Sequence, residues 1–181
     1  SNNGTSSRNI TLENLTSTLS TVAYIGNSSL TDAASNITIN NCVITGSTGP
    51  TTTGGIILGS GVVLGGASEI PNNNMVIRGN HFMKTQNGVF AIGNATTPDL
   101  NWDISNNICG STLDAEKLGF RGIAVQNASL FTISSNTVLG IKNAVTANNL
   151  CGILVGAAVS SGTVTHNVLS AINNTNTTTT S

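Results

Sequence analysis

Ile104-Ser105-Asn106-Asn107-Ile108-Cys109 is the stretch on which the fold turns. It reads as an aliphatic residue, two small or polar residues, Asn, any residue, then an apolar residue. The same pattern returns in Ile39-Asn40-Asn41-Cys42-Val43-Ile44, Ile77-Arg78-Gly79-Asn80-His81-Phe82, Ile133-Ser134-Ser135-Asn136-Thr137-Val138 and Val164-Thr165-His166-Asn167-Val168-Leu169, with Cys once in the Asn column. A weaker sixth copy starts at Leu12, with Leu15 in the Asn column, so the intervals from Leu12 onward are 27, 38, 27, 29 and 31 residues. Repetition at such a period is the mark of a solenoid.

A second column lies between these copies. Gly55-Ile56-Ile57-Leu58, Gly88-Val89-Phe90-Ala91, Gly122-Ile123-Ala124-Val125 and Gly152-Ile153-Leu154-Val155 each read as Gly followed by a short apolar strand. Val22-Ala23-Tyr24-Ile25-Gly26-Asn27 matches Val89-Phe90-Ala91-Ile92-Gly93-Asn94 and opens that series. Several short strands of period-2 character within about 30 residues make one turn of a coil. Successive coils then stack about 4.8 Å apart, the spacing of neighbouring strands. A coil cannot bury its apolar face alone, but stacking makes the core continuous.

These patterns predict an all-β chain folded as a right-handed parallel β-helix of about six coils. The expected core stack is Leu12, Ile39, Ile77, Ile104, Ile133 and Val164. Asn80, Asn107, Asn136 and Asn167 are expected to form a structural ladder, because Asn tolerates left-handed backbone at tight turns and stacked amides bond along the axis. The organisation expected is a lead-in or cap over 1–8, the β-helix over 9–172 and a polar tail over 173–181.

Composition agrees. Hydrophobic residues are 38% but aromatics only 3%, so the core is built from Val, Ile, Leu and Ala. Charged residues are 7%, against about 25% in an ordinary soluble domain. Six Lys and Arg spread over the chain give no basic patch to replace counterions, which argues against nucleic acid as a partner. No run of 18 apolar residues is present to span a bilayer. Cys42, Cys109 and Cys151 form no CxxC pair and read as small buried hydrophobes. The one helix-friendly stretch, Leu113 to Leu118, suggests a single turn in a loop.

The repeat resembles that of pectate-lyase-like parallel β-helix proteins, which include polysaccharide lyases, phage tailspikes and bacterial surface proteins and adhesins. Gly54-Gly55-Ile56-Ile57 is also similar to the Gly-Gly-Ala-aliphatic element of chlamydial polymorphic membrane proteins, although their companion Phe-x-x-Asn element is Ile-x-x-Asn here. The resemblance implies a β-helix and leaves function open among an enzyme, a glycan binder and a surface module.

Chemistry is sparse in the sequence. Neighbouring aspartates of the kind a polygalacturonase-like site needs do not occur, and a calcium-dependent lyase needs several carboxylates together. The column partners of Asp103 are Thr38, Val76, Thr132 and Thr163. Arg78 is placed to pair with Asp103 on the next coil at the surface, where such a pair contributes little stability. His81 and His166 fall in different columns, and Trp102, two before Ile104, reads as core. No catalytic, metal or cofactor-binding residue is assigned, and no cofactor is expected. The loops at 46–74 and 108–122 are candidate partner surfaces. The expected function is a non-catalytic extracellular structural or adhesive module on a cell or virion surface or in a fibre. The alternatives are a carbohydrate-active enzyme and a glycan-binding module. The expected partners are further copies of the chain, neighbouring domains of a longer surface protein, and glycans.

Overall fold

The computed structural model describes residues 8–16, 20–47, 52–143 and 150–175. These residues form a parallel β-solenoid of about five turns with essentially no helix. Sheet 1 holds Ile10–Glu13, Cys42–Thr45, His81–Met83, Ile108–Cys109, Thr137–Val138 and Val168–Leu169 in that order. Sheet 2 holds Thr38–Asn40, Val76–Arg78, Asp103–Ser105, Thr132–Ser134 and Thr163–Thr165. Sheet 3 holds Thr21–Gly26, Thr52–Gly59, Thr85–Ile92, Arg121–Gln126 and Cys151–Val155. Each full turn runs from sheet 2 through a tight corner to sheet 1, then to sheet 3 and over to the next rung. No described helix is long and apolar enough to cross a membrane.

Register places Ile39, Ile77, Ile104, Ile133 and Val164 in one file along sheet 2. Leu12 is not in that file. It pairs with Ile44 and heads the sheet 1 file, followed by Phe82, Cys109, Val138 and Leu169. The first described rung has strands in sheets 1 and 3 only, so Leu12 has no sheet 2 position to occupy. The first sheet 3 strand also differs from expectation. Ala23, not Val22, shares a file with Ile56, Val89, Ile123 and Ile153. With a side-chain period of two, that one-residue slip exchanges the inner and outer faces.

The Gly column explains how the sheets meet. A Cβ on Gly88 would stand 2.6 Å from the Gly122 carbonyl oxygen and 3.2 Å from Cys109 Sγ. On Gly122 it would stand 2.6 Å from the Gly152 carbonyl oxygen and 2.8 Å from Val138. Gly55 faces Phe82 and Gly152 faces Leu169 in the same manner. The glycines therefore leave the space that the sheet 1 file fills. The price is small here, because these positions need no unusual backbone, only the absence of a side chain.

Within the 38-residue interval, the extra residues form a loop after the sheet 3 strand Thr52–Gly59 and are tied down by carboxylates. Glu69 accepts from Ser60 Oγ and from the Gly61 N–H at 2.9 Å. Asp99 is fully buried and accepts from the Asn72 N–H at 2.9 Å, the Asn94 N–H at 2.8 Å and Ser68 Oγ at 3.1 Å. The 108–122 segment carries one 3-10 turn, Asp114–Glu116, whose Asp114 pairs with Lys117 and Lys142. The three cysteines are free thiols, Cys42 and Cys109 buried and Cys151 half-buried. Of the expected lead-in only Arg8 is described, and it donates to the Gly79 carbonyl at 2.7 Å. Of the expected tail, 176–181 lie outside the described residues, while Ile172–Asn174 is a strand pairing with Ile141–Asn143.

Candidate functional site

Two features of the surface and interior carry specific chemistry: the amide ladder at one corner and a groove on the outer face of sheet 2.

The ladder occupies the corner between sheets 2 and 1. The residue before each ladder position adopts left-handed backbone: Asn41 (φ 53), Gly79 (φ 67), Asn106 (φ 56), Ser135 (φ 55) and His166 (φ 55). This corner turns the next side chain inward, and Asn80, Asn107 and Asn136 are fully buried. Each amide reaches back to the preceding rung. Asn107 Oδ1 accepts from the Asn80 N–H at 2.9 Å, while its Nδ2 donates to the Ile77 carbonyl at 2.8 Å. Asn136 does the same to Asn107 and Ile104, and Asn167 to Asn136 and Ile133. Asn80 closes the rung before it by accepting from the Cys42 N–H and donating to the Ile39 carbonyl. Lateral amide–amide bonds of 3.0–3.2 Å join Asn80, Asn107, Asn136 and Asn167. Cys42 has no amide to reach further back, so the ladder begins there. Its chemistry is structural, since these amides are spent on backbone groups that burial would otherwise leave unpaired.

The groove lies outside sheet 2, where alternate residues face solvent. It is an open groove of about 420 Å³ bordered by Arg78, Asn101, Asp103, Leu130, Thr132 and Ser134 among others. Arg78 stands diagonally across from Asp103, because Arg78 is the partner of Ser105 and Val76 the partner of Asp103. Its Nη2 donates to Asp103 Oδ2 and its Nε to Ser105 Oγ at 3.2 Å. Both partners are partly exposed, at 51% and 30% of their side chains. One rung on, Thr132 and Ser134 repeat the positions of Asp103 and Ser105.

A second amide row borders this groove. Asn36, Asn74 and Asn101 all have φ 60, and Asn101 Nδ2 donates to Asn74 Oδ1, and Asn74 Nδ2 to Asn36 Oδ1. On the next rung the row stops at Leu130, which keeps the left-handed backbone (φ 55) and is 55% exposed. Sequence reading missed this row and its break, although Asn36, Asn74 and Asn101 each stand three residues before a file residue. Trp102 is buried in the core at the floor of the groove, and its Nε1 donates to the Asn72 carbonyl at 2.8 Å.

The remaining titratable groups are dispersed. His81 is half-buried with Nε2 3.0 Å from the Gly110 carbonyl oxygen, and His166 is exposed at its corner. Among the described residues no three His, Cys, Asp or Glu side chains gather as a metal would require. Burial pushes the Asp99 carboxyl up to about 6 against three donors that favour its charged form. Burial also pushes the Cys109 thiol up to about 12. Hydrogen bonds from Lys117 and Lys142 hold Asp114 down at about 2. No family model matches the chain, and no curated protein or solved structure matches it either.

Proposed function

We propose that the chain is a non-catalytic structural or adhesive β-solenoid module, displayed outside the cell on a cell or virion surface or stacked into a fibre. The observation that carries this reading is the directionality of the stack. Every ladder amide closes the rung before it, so Asn167 serves Asn136 and receives no such amide from a following rung among the described residues. The core files are open on the same side. Val164, Leu169 and Ile172 are 46%, 48% and 40% exposed, whereas Ile133, Val138 and Ile141, their partners one rung earlier, are fully buried. Exposed apolar side chains along a strand edge that no described residue pairs favour addition of a further rung.

The test is sedimentation and light scattering over a wide concentration range, with Leu169→Lys as the comparison. A mass that rises with concentration and falls back to the monomer in the variant is the expected result. A compact monomer at every concentration overturns the stacking form. Product formation in a polysaccharide depolymerisation screen, with and without calcium, overturns the non-catalytic form.

A further inference from the structure

The groove outside sheet 2 presents an arrangement that the solenoid itself does not need. The Arg78–Asp103 pair sets a donor-rich guanidinium beside a carboxylate. Arg78 uses Nη2 and Nε within the protein and Asp103 uses Oδ2, which leaves Nη1 of Arg78 and Oδ1 of Asp103 without a bond to any described residue. A guanidinium has five N–H donors and no acceptor, and a carboxylate has acceptors only. A hydroxyl does both. A pair of adjacent hydroxyls on one ring can therefore accept from Arg78 and donate to Asp103 together. The two charges cancel, so the pair does not select an anion or a cation.

The next rung extends the same chemistry. Thr132 and Ser134 point outward from one strand, about 6.7 Å apart, and lie about 4.8 Å from the rung of Asp103 and Ser105. Their hydroxyls make no hydrogen bond to any described residue and are open to a ligand. Asn101 Oδ1 is in the same condition, because the amide that would use it is replaced by Leu130.

Leu130 is an independent sign. A Leu in left-handed backbone costs about 1 kcal/mol relative to Asn or Gly, and Asn holds this position on three earlier rungs. The same substitution also breaks the amide row and places an apolar side chain in water at the edge of a polar groove. One face of a pyranose ring is made of C–H groups and matches such a patch.

We propose that this groove is a saccharide-binding site for neutral glycans. Asp103 and Arg78 clamp a vicinal diol, Thr132, Ser134 and Asn101 bond the neighbouring hydroxyls, and Leu130 packs under the ring. The site does not depend on the module reading, since it uses the lateral face of the solenoid and not its open end. A shallow, solvent-open groove with so few contacts predicts weak binding per site, on the order of millimolar, strengthened by multivalent display.

The experiment is a glycan array carrying neutral glucose-, mannose- and galactose-terminated oligosaccharides beside sialylated and sulfated ones. It is run with the wild-type chain and with Asp103→Asn, Thr132→Val and Leu130→Asn, each checked for wild-type circular dichroism. Leu130→Asn restores the row and relieves its backbone, so it keeps or raises the melting temperature and separates folding from binding. The expected result is retention of neutral glycans by the wild type and a loss of about tenfold or more in each variant, which corresponds to the removal of one such contact. Absence of neutral-glycan retention, retention confined to acidic glycans, or retention unchanged in the folded variants overturns the proposal.

Discussion

Replacing Asn107 by Ala removes four hydrogen bonds at one buried point. Its Oδ1 accepts from the Asn80 N–H at 2.9 Å and from Asn80 Nδ2 at 3.2 Å, and its Nδ2 donates to the Ile77 carbonyl at 2.8 Å and to Asn136 Oδ1 at 3.0 Å. Asn80 Nδ2 keeps its bond to Ile39, and Asn136 Oδ1 keeps the Asn107 N–H, so those two losses are partial. The Asn80 N–H is left without its partner in a fully buried corner. Orphaning such a group costs about 1–3 kcal/mol, and losing a bond whose partner remains satisfied costs about 1 kcal/mol. With the two partial losses and the lost bond to the Ile77 carbonyl at about 1 kcal/mol each, the expected total is about 4–6 kcal/mol, a large fraction of the ~5–15 kcal/mol that holds a domain together. Asn106→Ala is the control. Asn106 is exposed in left-handed backbone (φ 56), so its replacement costs only the strain of Ala there, about 1 kcal/mol. Urea unfolding followed by the fluorescence of Trp102, which is buried and is the only tryptophan, reads both variants in the same core. If Asn107→Ala shifts the midpoint no more than Asn106→Ala does, the ladder is ornament and the account of the corner fails.

Gly122→Ala is expected to destabilise by about 2 kcal/mol, read as a lower urea midpoint, because the added Cβ meets the Gly152 carbonyl at 2.6 Å and Val138 at 2.8 Å. A neutral result would mean that sheets 1 and 3 do not approach as described. Asp99 supplies a pH test. Its folded carboxyl sits at about 6, above the ordinary 3.8, so folding favours its protonated form. Its contribution is fully present below pH 4, falls as pH rises toward 6 and is absent above, a difference of about 3 kcal/mol at most. Urea midpoints should therefore be higher at pH 4.5 than at pH 7.5, and Asp99→Asn should flatten that slope while lowering stability at both, since its amide cannot accept from both Asn72 and Asn94.

How much of this was legible before the structure depended on what each position had to do. Ile39, Ile77, Ile104, Ile133 and Val164 could be aligned because a fixed offset ties each to the residue three places on, Asn in four copies and Cys42 in one. That offset is the length of one corner, and a corner repeated in space must repeat in sequence. Leu12 lacked the Asn, and without it an isolated aliphatic matches either file, which is why it was assigned to sheet 2 and stands in sheet 1. Val22 failed for a related reason: the strand it opens has apolar residues on consecutive positions, and consecutive apolar residues do not declare which face is inward. The Gly column was visible, but its purpose was not. That purpose depends on Phe82, Cys109, Val138 and Leu169 from another sheet, and no pattern within the sheet 3 strands encodes them. The groove was half legible. Arg78 and Asp103 could be placed on adjacent rungs by the 27-residue interval, whereas the break in the outer amide row at Leu130 becomes meaningful only when the row is seen.

The two amide rows differ in how freely their members can be replaced. The inner row is buried from Asn80 to Asn136 and half-buried at Asn167, and each member is required by the backbone of its neighbour, so replacing any one strands an N–H. The outer row, Asn36, Asn74 and Asn101, is bonded head to tail in the opposite sense, the later rung donating, and lies in water, where a lost amide is replaced by solvent at little cost. The outer row can therefore change without unfolding the coil, and it changes at Leu130, beside the open hydroxyls of Thr132 and Ser134. A solenoid that holds its shape from within leaves its outer faces free to carry specificity, and the point at which an otherwise regular outer row departs from its own rule is where a ligand should be sought.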